Sequence, residues 1–137
     1  MICAQLMKAD IARLKVEMRA LELGVVCSKP VIEGTRYDCI LDTGRALYRA
    51  QIKYGNGVST STSGLAQVNL RKEIRKDKNH PYFANEIDVI LVYIPKIDRI
   101  CWFGPEVFNG KGCLSIRIAP CKNKQMKGCL LAENYLW

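Results

Sequence analysis

Two runs of alternating character meet at Asp42-Thr43-Gly44-Arg45, and their pairing constrains the fold more than any other feature of the chain. Tyr37 to Leu41 reads as one strand and Ala46 to Tyr54 as its partner, with the Asp-Thr-Gly turn supplying the positive φ angle that a short connection needs. Gln51 and Lys53 stand two apart, so in a strand both side chains leave on one face, with Ile52 behind them. Asp38, on the facing strand, can share a site with that pair. A carboxylate able to hold a divalent cation, next to an ammonium that offsets charge building on phosphate, suits metal-assisted phosphodiester hydrolysis. An Asp followed by Gln-x-Lys also describes many solvated hairpins, so the remainder of the chain must decide.

Charge is the second constraint. Lysine and arginine number 21 against 13 acids, a formal +8, which calls for a polyanionic partner. The cations are grouped: residues 43 to 72 hold Arg45, Arg49, Lys53, Arg71 and Lys72 without one acid, and residues 107 to 132 hold Lys111, Arg117, Lys122, Lys124 and Lys127 likewise. The first of these tracts contains the hairpin. With 137 residues at 49% hydrophobic content, a single domain over 1–137 with its own core is expected. No apolar run is long enough to span a membrane, and Lys8 and Asp10 interrupt the N-terminus too early for a secretory signal, so a cytoplasmic protein with no membrane partner is expected. The seven cysteines form no C-x-x-C pair and read as reduced thiols rather than a zinc site. His80 is the only histidine, which excludes chemistry built on a histidine pair.

Along the chain, a helix is predicted from about Lys8 to Leu23, closed by Gly24, with a core stripe of Ile11, Leu14, Met18 and Leu21. At ~100° per residue, Asp10, Arg13 and Glu17 fall on one flank of that stripe, placed to overlook the hairpin. Val25 to Cys27 is extended, Pro30 breaks it, and Glu33-Gly34-Thr35 turns into the hairpin. Tyr54 to Gly64 is rich in Gly, Ser and Thr, so that Tyr54, Asn56, Ser59, Thr60 and Ser61 could meet phosphate oxygens or base edges. Leu65 to Leu70 reads as a strand, and the basic run that follows offers Arg71, Lys72, Arg75 and Lys76 to phosphate. Ile87 to Ile94, β-branched and bounded by Pro95, is the predicted central strand, followed by Arg99 to Phe103 as the next strand of a meander. Pro105 opens a turn or short helix, Cys113 to Ile118 forms a further strand, and the tail from Asn123 to Trp137 folds back or packs on a second subunit.

The series Lys8-Ala9-Asp10-Ile11, Gly24 before a Val-rich strand, Arg36-Tyr37-Asp38, Arg49-Ala50-Gln51-Ile52-Lys53, Glu86-Ile87-Asp88 and Ile116 to Pro120 followed by Lys122-Asn123-Lys124-Gln125 resembles a known family. In this order and spacing, over nearly the whole chain, it is similar to the PD-(D/E)XK nucleases, specifically the small homing endonucleases encoded in group I introns of bacteria or phage. That resemblance implies an α/β (α+β) fold with a restriction-endonuclease-like core: a mixed β-sheet flanked by helices, an N-terminal helix, then the catalytic hairpin. It also implies Mg²⁺-dependent double-strand cleavage, with Mn²⁺ substituting, by a symmetric homo-oligomer, a dimer or a dimer-of-dimers tetramer, on a long double-stranded DNA target.

Under the resemblance, Asp38 is the central metal-binding carboxylate, Lys53 the signature lysine and Gln51 the replacement for a second acid. Because an amide brings no negative charge, metal affinity leans on Asp38, the Ile52 carbonyl and water. The family's helix glutamate aligns with Arg13, leaving Glu17 as a substitute ligand and predicting a slow or inactivated enzyme if Glu17 cannot reach. The implied reaction is in-line attack of water on a DNA phosphodiester, leaving 5′-phosphate and 3′-hydroxyl ends. Lys122, Lys124, Gln125 and Lys127 join the DNA contacts, and isologous contacts are expected from the apolar tail or from strands within 87 to 103. Two alternatives stand beside this one: a non-catalytic nucleic-acid-binding module on the same scaffold, and a Holliday-junction resolvase.

Overall fold

The structure is a computed structural model describing residues 3–57, 64–74, 77–119 and 130–137, without the side chains at 72–74 and 77–79. In chain order the elements are α1 (Ala4–Leu23), β1 (Val26–Ser28), β2 (Cys39–Asp42), β3 (Leu47–Tyr54), β4 (Asn56–Gly57), β5 (Leu65–Asn69), β6 (Arg71–Ile74), β7 (Asp77–Pro81), β8 (Val89–Ile94), β9 (Arg99–Phe103), α2 (Pro105–Phe108), β10 (Cys113–Arg117) and β11 (Leu130–Leu131), with a closing 3-10 turn (Ala132–Tyr135).

The hairpin forms as the alternation predicts. β2 and β3 pair antiparallel from Cys39 opposite Ala50 to Asp42 opposite Leu47, and Gly44 takes φ 78° in the turn, where the Asp42 carboxylate accepts its N–H at 2.8 Å. β3 then pairs parallel with β8, and β8 antiparallel with β9, completing a five-stranded mixed sheet in the order β1-β2-β3-β8-β9. All six residues of β8 are buried because each of its faces meets a separate layer. Val89, Leu91 and Tyr93 pack towards α1, whereas Ile90, Val92 and Ile94 pack with Ala66, Val68, Leu114 and Ile116. The latter residues come from β5 and β10, which lie in a second sheet ordered β11-β10-β5-β4. The expected mixed sheet and leading helix are therefore present. Cover on the second face comes from this smaller sheet, with the one-turn α2 adding Val107 and Phe108.

Helix α1 reverses the expected core stripe. Ile11, Leu14, Met18 and Leu21 are 40%, 54%, 57% and 75% exposed, while Ala12, Val16 and Ala20 are buried. Small side chains let the helix axis sit close to a sheet face already bulky with Leu41, Leu91, Tyr93 and Ile100, so the larger aliphatics are turned outward. Gly24 ends the helix at φ 70°, with its N–H donating to Leu21 O and the Val25 N–H donating to Ala20 O.

Two further segments take definite form. The basic run after Leu70 is a hairpin, β6 against β7 with Lys72 opposite His80. Trp137 packs on its own chain: its ring lies 5.8 Å from Trp102, and its N–H donates to Ile100 O. Strand β8, proposed as a subunit contact, is closed inside the fold and cannot serve as one. Of the cysteines read as buried reduced thiols, Cys101 is buried but Cys113 is exposed, and Cys121 and Cys129 lie outside the described residues; Cys39 is a second buried free thiol.

Candidate active site

Asp38 lies one residue before β2, where the ladder to β3 runs out. Its N–H donates to Ala50 O at 2.8 Å, and its Oδ2 accepts the Ile52 N–H at 2.8 Å, so the carboxylate continues the ladder in place of a main-chain carbonyl. In an antiparallel pair a residue exchanges both bonds with its partner, so its N–H and C=O leave on one side. The Ile52 carbonyl accordingly opens into the same gap beyond β2. Gln51 is 6% exposed, and its Oε1 has no hydrogen-bond partner among the described residues, leaving an acceptor ready for a ligand.

Lys53 stands over an aromatic floor. Its Nζ is 5.2 Å from the centroid of the Tyr82 ring, and the Arg36 guanidinium lies 4.2 Å from the same ring. Tyr82 is fully buried, and burial pushes its hydroxyl up to about 12, keeping it protonated. Its oxygen has no partner among the described residues. A neutral ring face attracts both cations without removing their charge.

A cleft of about 590 Å³ joins these groups. Asp38, Gln51, Ile52 and Lys53 line one side, Lys8, Asp10 and Arg13 of α1 another, and Asn56, Gln67 and Asn69 of the second sheet a third. Lys8 donates to Asn56 Oδ1 at 3.2 Å and stands 5.7 Å from the Tyr54 ring centroid, linking α1 to β3 and β4. The predicted flank of α1 does face the cleft, but through different residues. Glu17 is outside the lining: Lys29 first, and Arg13 at 3.1 Å, hold its carboxyl below the usual range against the effect of burial. Asp10 lines the cleft instead, with Arg13 Nη2 3.5 Å away.

Two ion-pair groups hold the frame. Arg49 forks onto Asp88 at 3.0 Å through both Nε and Nη2, while the Arg49 N–H reaches Asp88 Oδ2 at 2.7 Å, so β3 and β8 start in register. Arg49 lowers the Asp88 carboxyl pKa. Arg36 donates to Pro81 O at 2.7 Å and to Glu86 at 3.2 Å, and Glu86 also meets His80 Nε2 at 3.2 Å. His80 is thereby engaged in a structural pair.

The hairpin residues expected to form a site thus line one cleft, together with Tyr54 and Asn56. Arg71 lies nearby on β6, its N–H bonded to Asn69 Oδ1 at 2.9 Å. Lys72 is placed by its backbone alone. Ser59, Thr60, Ser61, Arg75, Lys76, Lys122, Lys124, Gln125 and Lys127 lie outside the described residues. Sequence reasoning missed Lys8, Gln67, Asn69 and Tyr82. Alternation of Gln67 and Asn69 with Ala66, Val68 and Leu70 signalled an outward pair, but nothing local placed it beside Lys53.

The donor set suits a divalent cation. Asp38 carboxylate, Gln51 Oε1 and Ile52 carbonyl are all oxygens, the ligand class of hard ions such as Mg²⁺ or Mn²⁺. Gln51 Oε1, buried and unpartnered, fits that use. No group of three or more His, Cys, Asp or Glu occurs among the described residues, so the site carries little negative charge.

The sequence model of the PD-(D/E)XK endonuclease family matches residues 4–137. Among solved structures, a bacterial homing endonuclease, I-Ssp6803I, is similar at 25% identity with a TM-score of 0.77, over 98% of this chain and 89% of that one. No curated protein matches.

Proposed function

We propose, from the premise that the chain belongs to the PD-(D/E)XK endonuclease family, that it is a site-specific homing endonuclease making metal-dependent double-strand breaks in DNA. Residues 1–137 would act as one nuclease domain in the cytoplasm of a bacterium or its phage, from a group I intron. The observation that carries the reading is the convergence of Asp38, Gln51 and Lys53 on one cleft in a chain of this family.

Asp38, Gln51 and the Ile52 carbonyl would hold Mg²⁺, or Mn²⁺ in its place. When bound, the ion would lower the pKa of water and neutralise phosphate charge. The chain's own groups do the rest. Asp38 is oriented by the Ile52 N–H, which fixes its Oδ2 at the end of the ladder. Lys53, positioned on the Tyr82 ring, donates to the non-bridging phosphate oxygen as negative charge builds there. Water adds to phosphorus while the bond to the 3′ oxygen breaks, leaving 5′-phosphate and 3′-hydroxyl ends. Lys8 and Arg13, across the cleft, bind the flanking phosphates. With Glu17 held by Lys29 and Arg13, we assign the helix-borne acid to Asp10.

Cutting both strands needs two copies, and the outward aliphatic face of α1 supports a homo-oligomer. The binding-module alternative draws support from Gln51, which adds no charge at the ion site.

The test is cleavage of linear duplexes and four-way junctions with Mg²⁺ or Mn²⁺, using the wild type, Asp38→Ala and Lys53→Ala. Cutting at one linear site, lost in both variants, is expected. Junction-selective cutting would indicate resolution, and salt-sensitive binding without cleavage in either metal would indicate a binding module.

A further inference from the structure

Strand β5 turns two uncharged amide side chains into the cleft. Its burial alternates: Ala66, Val68 and Leu70 beyond its end face the core, and Gln67 and Asn69 face out. Outward faces of sheets commonly carry charged residues, but this row carries amides and a hydroxyl. Gln67 is opposite Asn56 on β4 and opposite Ser115 on β10, which places the three side chains side by side across three strands. Strands ~4.8 Å apart give that row a span of about 10 Å. It matches about three base-pair steps at ~3.4 Å each.

The side chains differ in how committed they are. Asn56 Oδ1 accepts from Lys8, and Asn69 Oδ1 accepts the Arg71 N–H. The exposed Gln67 amide makes no hydrogen bond among the described residues, and it lines the same cleft as Asp38 and Lys53. An uncharged donor and acceptor pair contributes little to phosphate binding, which charged groups dominate, but it matches an adenine edge, N6 donating and N7 accepting, in the major groove. A two-stranded β-ribbon also fits that groove, and β4 with β5 forms such a pair at the edge of the second sheet.

We infer that Gln67 is a specificity-determining residue, reading one adenine close to the scissile phosphate through a bidentate amide contact, with Asn56 and Asn69 flanking it on the same ribbon. This rests on the proposed reading of the chain as a DNA endonuclease. Lys8 and Arg71, at the two sides of the ribbon, hold Asn56 and Asn69 in place and leave Gln67 uncommitted.

The test is cleavage of a randomised duplex library by the wild type, Gln67→Ala and Gln67→Glu, with sequencing of the cut products. The wild type is expected to prefer A at one position near the cut by about 5- to 150-fold, the discrimination of a bidentate contact. Gln67→Ala should lose that preference there alone, and Gln67→Glu should move it towards C, whose N4 amino group a carboxylate can accept. Wild-type cutting with all three profiles superimposable would overturn the inference and leave the nuclease reading intact. Relaxation at every position together would also overturn it, because that is the signature of a general loss of affinity. If the wild type cuts none of the library in Mg²⁺ or Mn²⁺, the nuclease reading itself fails and the inference with it. Thermal melts of both variants within a few degrees of wild type show that the exposed substitution leaves the fold in place.

Discussion

Replacing Gln51 by glutamate tests whether the orphaned oxygen belongs to an ion site. Gln51 is 6% exposed and its Oε1 has no partner among the described residues, so a carboxylate there gives up most of its hydration. Without a divalent ion, the cost of an imperfectly paired buried charge is about 1–2 kcal/mol, in the lower range for buried polar groups because the Lys53 ammonium lines the same cleft. For a chain of this length that lowers Tm by roughly 3–10 °C. With Mg²⁺ the sign reverses. A charge of −1 at ~4 Å from a +2 ion gains about 8 kcal/mol at an effective dielectric constant of ~20. Dehydration of both partners removes several kcal/mol of this, leaving on the order of 1–3 kcal/mol. That corresponds to an affinity increase of roughly 5- to 150-fold. Thermal denaturation over a Mg²⁺ titration, with chelator as the zero point, reads both quantities through the ligand linkage. Gln51→Glu should melt below wild type in chelator and show a larger upward shift, reached at a lower Mg²⁺ concentration. Equal melting in chelator together with an unchanged Mg²⁺ midpoint would refute the placement of Gln51 at the ion.

Tyr82→Phe removes a fully buried hydroxyl that has no partner among the described residues while retaining the ring under Lys53; it should raise stability by about 1 kcal/mol in urea unfolding, and a loss of more than that amount would reveal a partner. Ala12→Leu should destabilise by about 1–3 kcal/mol because it overfills the contact between α1 and the sheet, whereas Leu14→Gln on the outer face should stay within about 0.5 kcal/mol for the monomer at low concentration. The reverse ranking would restore the stripe read from the sequence. The Asp88 pKa is depressed by Arg49, so the stability it contributes is present above the ordinary aspartate range and is lost as pH falls through the lowered folded-state value. Asp88→Asn should flatten that acid limb in unfolding curves collected from neutral pH downwards.

What was legible in the sequence is local. The hairpin followed from alternation on both sides of a turn with Gly44 at its centre, and the helix stop from Gly24; both depend on backbone preferences that a few neighbouring residues decide. The run at 87–94 announced a central strand because residues buried on both faces leave no polar alternation. The shared face of Gln51 and Lys53 follows from the period of two and needed no tertiary information.

Tertiary structure decided the questions of phase and distance. Ala12, Val16 and Ala20 repeat at helical spacing just as Ile11, Leu14, Met18 and Leu21 do, so periodicity finds two stripes and cannot say which is inward. The bulk of the opposing sheet chose the smaller one. The same rotation set Asp10 into the cleft and left Glu17 with Lys29, although both lie on one flank in sequence. Tyr82 beneath Lys53 and Gln67 opposite it come from chain segments 29 and 14 residues beyond Lys53, and only the packing of those segments on the first sheet brings them to the hairpin. Local rules fix which way a side chain leaves its strand or helix, but the packing of layers decides what it then meets.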